Sequence, residues 1–189
     1  MPYVIRTPVT DSRSVPKDFD PDITMGYMRQ LIGTFPMTAE GRAAIPKRLR
    51  VGSPRRGAVP HILGWSVGPW IVSPRVHDII EELEPAIQHF SPIELLTKDG
   101  RKSRATYFLI LPPPILDAVI RDLTEFDSSH SLKPRGRCVL DVTVIRGHHF
   151  WRAPAPLLEY FCSDDLGDRL RAERLDGWDL RHRCDVQAR

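Results

Sequence analysis

The sequence predicts an α+β domain with a mainly antiparallel sheet, and three observations support this fold class. An apolar run, a serine and an amphipathic helical pattern occur together twice, as IVSPRVHDIIEELEP from Ile71 to Pro85 and as YFCSDDLGDRLRAERLDG from Tyr160 to Gly177. Between the copies, strand-like segments follow one another instead of alternating regularly with helices. Proline and glycine punctuate the first third, which predicts loops there.

The length and composition fit one domain with an irregular extension. The chain has 189 residues, of which 41% are hydrophobic, and this is enough for a sizeable core without metal or disulfide bonds. We therefore expect a proline-rich, loop-rich region over residues 1–60, packed on or extending from an α+β domain over residues 61–189.

Charge and cysteine content indicate the compartment more than the function. The formal net charge of +3 is mild, so it does not indicate a dedicated nucleic-acid binder. Cys138, Cys162 and Cys184 form no CxxC pair, which favours reduced thiols and the cytoplasm. No segment approaches the roughly 20 apolar residues of a membrane span, and the amino terminus lacks the apolar core of a signal peptide.

The first serine copy predicts a capped amphipathic helix. Ser73 suits the N-cap and Pro74 the first helical position. The apolar stripe of this helix comprises Val76, Ile79, Ile80, Leu83 and Ile87. Its exposed face should carry His77, Asp78, Glu81, Glu82 and Glu84, three of whose acids lie near the helix end where the dipole disfavours them.

The second copy predicts a helix with the opposite charge order. Ser163 suits the N-cap, Asp164 and Asp165 suit the first turn, and arginines follow towards the other end. Gly177 can supply a left-handed stop.

Several segments around the helices have the alternating or β-branched pattern of strands. They are FSPIELL, RATYFLIL, RCVLDVTVI, a pair formed by HHFWRAPAP and LLEYFC, and a closing GWDLRH. The segment from Ile115 to Phe126 fits either a short helix or a bent strand.

The pattern predicts no catalytic, cofactor or metal site. His148, His149, His182 and Cys184 could bind zinc, but adjacent histidines in a strand point to opposite faces. The candidate nucleophiles Ser73, Ser163 and Cys162 have structural explanations as caps and a buried strand residue. No GxSxG, GxGxxG, Walker or HExxH motif occurs in the chain.

A basic run, GRAAIPKRLRVGSPRRG, offers an alternative function. Its cations are Arg42, Lys47, Arg48, Arg50, Arg55 and Arg56. These could contact phosphates, although the run lacks the aromatic residues on which single-stranded bases stack. A nucleic-acid-binding accessory protein using the loop 42–56 is therefore the second hypothesis, and an unrecognised small enzyme is the third.

Taken in order, WIVSPRVHDIIEELEP, FSPIEL, YFLIL, RCVLDVTVI, FWRAPAP, FCSDDLGDRL and DGWDL resemble a bacterial polymorphic-toxin immunity family, the eleventh in the usual numbering and formerly a domain of unknown function. The resemblance spans roughly residues 70–180. Its anchors are Ser73 with Arg75, Ser163 with Asp164, Trp151 with Arg152, and Gly177. The chain departs from the family pattern at Pro74 and at Leu180 with Arg181.

The resemblance implies a cytoplasmic antidote that binds a cognate toxin protein by occlusion and contributes no chemistry. Because the first helix gathers Asp78, Glu81, Glu82 and Glu84 in an otherwise basic chain, we hypothesise that this helix meets a basic toxin surface.

Overall fold

The protein, described here by a computed structural model, is built from short strands and helices. The structure describes residues 1–7, 45, 47–50, 59–64, 70–96, 100–111, 113–127, 132 and 136–189. The strands are β1 (Tyr3–Arg6), β2 (Arg48–Arg50), β3 (Ile62–Gly64), β4 (Trp70–Val72), β5 (Phe90–Leu96), β6 (Tyr107–Ile110), β7 (Val139–Asp141), β8 (Phe150–Arg152), β9 (Tyr160–Cys162), β10 (Asp179–Arg183) and β11 (Asp185–Gln187). The helices are α1 (Pro74–Leu83), α2 (Val142–Ile145) and α3 (Asp164–Ala172), and a 3₁₀ turn spans Arg121–Leu123.

Three sheets organise the described residues, and most of their strand pairs are antiparallel. One sheet has the order β2-β5-β6-β4-β3, a second has the order β10-β1-β9-β8, and β11 pairs with β7 alone. Only the β2–β5 and β11–β7 pairs are parallel among these strands. The α+β fold class predicted from the sequence is therefore confirmed.

The two larger sheets contain the same unit twice. Unit one comprises β3, β4, α1, β5 and β6, and unit two comprises β8, β9, α3, β10 and β1. Starting from the first strand of each unit, the sheet orders are β3-β4-β6-β5 and β8-β9-β1-β10. The amino-terminal strand β1 thus holds in unit two the place that β6 holds in unit one.

Next to the two serines, the strand registers of the two units agree. Ile62 pairs with Val72 as Phe150 pairs with Cys162, one position before each serine. On the other side, Val72 pairs with Phe108 as Cys162 pairs with Tyr3. The apolar-serine-helix pattern that occurs twice in the sequence is therefore one part of a longer structural repeat.

The main core joins both units. It includes Ile62, Trp70, Val72, Ile110, Ile5, Phe150, Tyr160 and Cys162 from the strands and Val76, Ile79, Ile80, Leu166 and Leu170 from the helices. The Trp70 ring lies 5.1 Å from the Phe150 ring and 5.4 Å from the Tyr160 ring, centroid to centroid. Burial of this apolar surface is what holds the two units together.

Two further clusters lie on other surfaces of the sheets. Leu63, Ile71, Ile93, Leu95 and Leu109 of unit one pack with Leu49 of β2. Val4, Trp151 and Phe161 of unit two pack with residues of the segment between β6 and β8, such as Val119 and Leu140. Each sheet of the repeat is therefore buried on both faces, which explains why its strands read as continuous apolar runs.

Hydrogen bonds cross from the end of each helix to the first strand of the other unit. The His149 amide donates to Glu84 Oε2 at 2.7 Å, and the His61 amide donates to Asp176 Oδ1 at 2.8 Å. We call these two bonds the crossed contacts. They place the segment after each helix against the strand that begins the opposite unit.

Two sequence predictions about local structure are wrong. RCVLDVTVI forms a strand only over Val139–Asp141, because Asp141 then caps α2 by accepting a 2.9 Å bond from the Thr143 amide. Gly177 does not stop α3. Arg174 takes the left-handed conformation, with φ of 54°, while the Leu175 amide donates to the Leu170 carbonyl oxygen in a Schellman arrangement.

Strand β1 is not among the strands predicted from the sequence, whereas β5, β6, the β8–β9 pair and the closing strand β10 agree with the prediction. The proposed division between residues 1–60 and 61–189 stays a prediction, since residues 8–44 and 51–58 lie outside the described part of the chain.

Candidate partner-binding face

Helix α1 presents a polar face on the surface of unit one. Its apolar side chains Val76, Ile79 and Ile80 are buried, as the helical spacing predicts. On the other side, Asp78 and Glu82 are exposed and Glu81 is half-buried. Three of the four acids predicted to contact a partner therefore lie where a partner could reach them.

The prediction that Glu84 is exposed is wrong, since only 1% of its surface is accessible. It follows the last turn of α1, where its carboxylate accepts hydrogen bonds from the His149 amide and from Gln88 Nε2. Burial raises the pKa of the Glu84 carboxyl, and these hydrogen bonds lower it in part. Glu84 is thus a contact between the two units.

Glu82 is accessible but already paired with two arginines, Arg169 of the neighbouring helix α3 and Arg75 of α1 itself. Arg169 Nη2 lies 2.6 Å from its Oε2, and Arg75 Nη1 lies 3.7 Å from its Oε1. Arg75 also forms a two-pronged pair with Glu173 at the end of α3. These bonds link α1 to α3 and offset the unfavourable position of an acid at the carboxyl end of α1.

Asp78 and Glu81 contact residues that are near them in the chain. Asp78 Oδ1 lies 3.0 Å from His77 Nδ1, and Glu81 Oε2 lies 3.5 Å from the Ala86 amide nitrogen, a distance at which a hydrogen bond is weak. Neither carboxylate is drawn into the α1–α3 pairs. Their charge faces the exterior of unit one.

A cavity of about 580 Å³ opens beside this face. The His77 ring stacks on Phe108 with centroids 4.2 Å apart and meets the edge of Phe90 at 4.5 Å. We call this cavity the α1 cavity. Its lining includes His77, Glu81, Gln88, His89, Phe90 and Ser91. This cavity could not be predicted from any one segment, because it forms only where α1 and the segment after it meet β5.

Ser163 is the N-cap that the sequence predicts. Its Oγ accepts a 3.1 Å hydrogen bond from the Leu166 amide and lies 2.8 Å from His149 Nδ1. The backbone amide of His149 meets Glu84, whereas a Ser-His-acid triad needs a carboxylate on the ring nitrogen that does not face the serine. This arrangement fits a structural role.

Ser73 occupies the N-cap position of α1, but the predicted side-chain hydrogen bond to a helix amide is wrong. Its Oγ lies 3.0 Å from His61 Nδ1 instead. His61 and His149 are equivalent positions in the two units, and each holds the serine before a helix. The histidine partners were missed because they lie 12 and 14 residues before their serines.

The three thiols are free and buried. Burial raises the pKa of the Cys162 thiol, which disfavours the nucleophilic thiolate. Within the described ranges, no group of three or more His, Cys, Asp and Glu side chains could hold a metal ion. In the same ranges no helix is long and apolar enough to cross a membrane.

The aromatic-Arg pair of the family resemblance is buried, whereas the basic run is described only in part. Trp151 and Arg152 are 1% and 2% exposed, so they belong to the interior of unit two. Of the basic run 42–56, Lys47 and Arg48 are exposed, and Arg48 pairs with Glu94 at 3.3 Å. Arg42, Arg55 and Arg56 lie outside the described residues.

Comparison with known proteins identifies the family. No curated protein matches the chain. The model of an immunity protein family, Imm11, matches residues 14–185. This match extends beyond residues 70–180 and includes most of the amino-terminal region 1–60. The chain therefore belongs to the Imm11 immunity protein family.

Proposed function

We propose that this protein binds a cognate bacterial toxin in the cytoplasm and neutralises it by covering a surface that the toxin needs. The observation that carries this proposal is the family match over residues 14–185. The buried free thiols are compatible with a reducing compartment.

Neutralisation by occlusion, without chemistry on the toxin, is supported by the roles of the candidate nucleophiles. Ser163 Oγ is engaged by a helix amide and by His149, while Ser73 Oγ is engaged by His61. Cys162 is completely buried. Because these groups have structural roles, they support a binding function and not a catalytic one.

The polar face of α1 is the contact surface that we favour. Asp78 and Glu81 give it negative charge beside the α1 cavity, in a chain whose formal net charge is +3. A basic toxin surface would therefore be attracted to this face. Such complementarity acts mainly on the association rate.

Co-expression with the toxin domain encoded beside the immunity gene tests the proposal. We expect the two proteins to purify as a stoichiometric complex, and the complex to lack the toxin activity that the free toxin shows. Growth of toxin-expressing cells should recover when the immunity protein is present. A complex that retains full toxin activity would refute occlusion, and failure of the pair to associate would refute the toxin partnership.

A further inference from the structure

The two units differ in side-chain chemistry at the place where unit one has its cavity. Counting from the serine of each unit, His77 of α1 corresponds to Gly167 of α3, and Glu81 corresponds to Arg171. By strand register, Phe108 corresponds to Tyr3. The same backbone positions therefore carry different chemistry in the two units.

Unit two fills this place with its own side chains. A Cβ on Gly167 would lie 3.6 Å from the Tyr3 ring, so α3 and the ring are in close contact. The Arg171 guanidinium carbon lies 5.0 Å from the Tyr3 ring centroid, and that of Arg183 lies 5.9 Å from it. Unit two thus shows cations held over an aromatic ring beside its helix.

Unit one has the aromatic wall but a carboxylate in place of the cation. His77, Phe90 and Phe108 form a continuous ring cluster. Glu81, at the position of Arg171, lines the α1 cavity together with His77 and Phe90. The cavity therefore combines a negative charge with aromatic surface, and both attract a cation.

We infer that the α1 cavity receives a basic side chain, lysine or arginine, from the surface of the cognate toxin. This inference rests on the proposed function, and it specifies the contact. The inserted cation takes in unit one the role that Arg171 has in unit two, beside Glu81 and against the ring cluster. A volume of about 580 Å³ accommodates such a side chain with room for water.

Binding of arginine analogues tests the cavity without the toxin. The probes are N-acetyl-arginine amide and its neutral isostere N-acetyl-citrulline amide, titrated at low ionic strength while the imidazole proton resonances of His77 and His89 are recorded. We expect the arginine probe to shift both resonances saturably, with an affinity several-fold above that of the citrulline probe. Equal effects of both probes, or none from either, would overturn the inference.

A pair of variants tests whether the charge of Glu81 is what binds the arginine probe. Glu81→Gln should lower the affinity for the arginine probe several-fold. Asp117→Asn, at an exposed acid in the segment that packs on unit two, should leave it unchanged. An equal affinity of both variants would contradict the role of Glu81. Because Glu81 is not a core residue, far-ultraviolet circular dichroism should show that both variants fold.

Toxin binding distinguishes this inference from the proposed function. With the co-expressed toxin, Glu81→Arg should weaken the complex by about 10-fold or more, through slower association and faster dissociation. Asp117→Arg should have no such effect. If the parent binds the toxin and Glu81→Arg binds equally well, the cavity is not the contact although the function stands. If the parent binds no toxin, the proposed function fails and the arginine probe still decides whether the cavity binds cations.

Discussion

The carboxylate of Glu84 accepts a 2.7 Å hydrogen bond from the backbone amide of His149, which lies 65 residues further along the chain. His149 stands directly before β8, and its ring holds Ser163 at the start of α3. The end of one helix is therefore connected through one residue to the beginning of the other. The second crossed contact, between Asp176 and His61, repeats this connection in the opposite direction.

Stability should depend on pH through Glu84. Burial raises the pKa of its carboxyl above the ordinary value of 4.5, so the folded protein holds this proton more tightly than the unfolded chain does. The resulting stabilisation is fully present below the unfolded pKa and is lost as the pH rises through the folded pKa.

Comparison of the parent with Glu84→Gln isolates this effect from those of the other carboxylates. The free energy of unfolding, measured in urea from pH 4 to pH 7, should favour the parent most at the acidic end. The difference in unfolding free energy between the parent and Glu84→Gln should shrink as the pH rises. A difference between the two proteins that stays constant, or grows towards neutral pH, would contradict the raised pKa.

Position 177 requires glycine because the backbone there lies against β3. Gly177 has φ of 90°, and a Cβ there would lie 1.9 Å from the Ile62 carbonyl oxygen. Gly177→Ala should therefore cost about 3 kcal/mol or more of unfolding free energy, from backbone strain and displacement of β3 together.

Gly147 is the matched control, because it has φ of 78° but open space around its Cα. Gly147→Ala should cost only about 1 kcal/mol, the penalty of the left-handed conformation itself. Chemical denaturation of both variants gives the comparison. Equal losses would mean that the contact with Ile62 contributes little.

The helices could be predicted from the sequence because their determinants are local. Ser163 and the apolar spacing of Val76, Ile79 and Ile80 lie within the segments that they define. Even so, the hydrogen bond predicted for Ser73 is wrong. The partner of Ser73 is His61, which the pairing of β3 with β4 brings beside it.

The features that sequence reasoning missed depend on distant partners. YVIR becomes a strand because Tyr3 pairs with Cys162 and Arg183, more than 150 positions away. Glu84 looks like the other acids of its helix, and only the approach of His149 explains its burial. The α1 cavity likewise has no signature in any one segment.

The two caps should contribute unequally. Ser163→Ala removes the hydrogen bond from the Leu166 amide and should lower the unfolding free energy by about 1 kcal/mol. Ser73→Ala leaves the helix amides of α1 as they are and removes only the contact with the half-buried His61. Its cost, measured by the same urea titration, should be smaller. A loss for Ser73→Ala equal to or above that for Ser163→Ala would refute this assignment.

The amino-terminal strand should be as necessary to unit two as β6 is to unit one. Ile5 of β1 and Ile110 of β6 occupy equivalent places, are each 1% exposed and belong to the same core cluster. Ile5→Ala and Ile110→Ala should therefore each lower the unfolding free energy by about 2–5 kcal/mol, the usual cost of truncating a fully buried isoleucine. If β1 were only an extension laid on a complete domain, Ile5→Ala would cost less than about 1 kcal/mol while Ile110→Ala kept its full effect, and urea unfolding of the two variants beside the parent separates these outcomes.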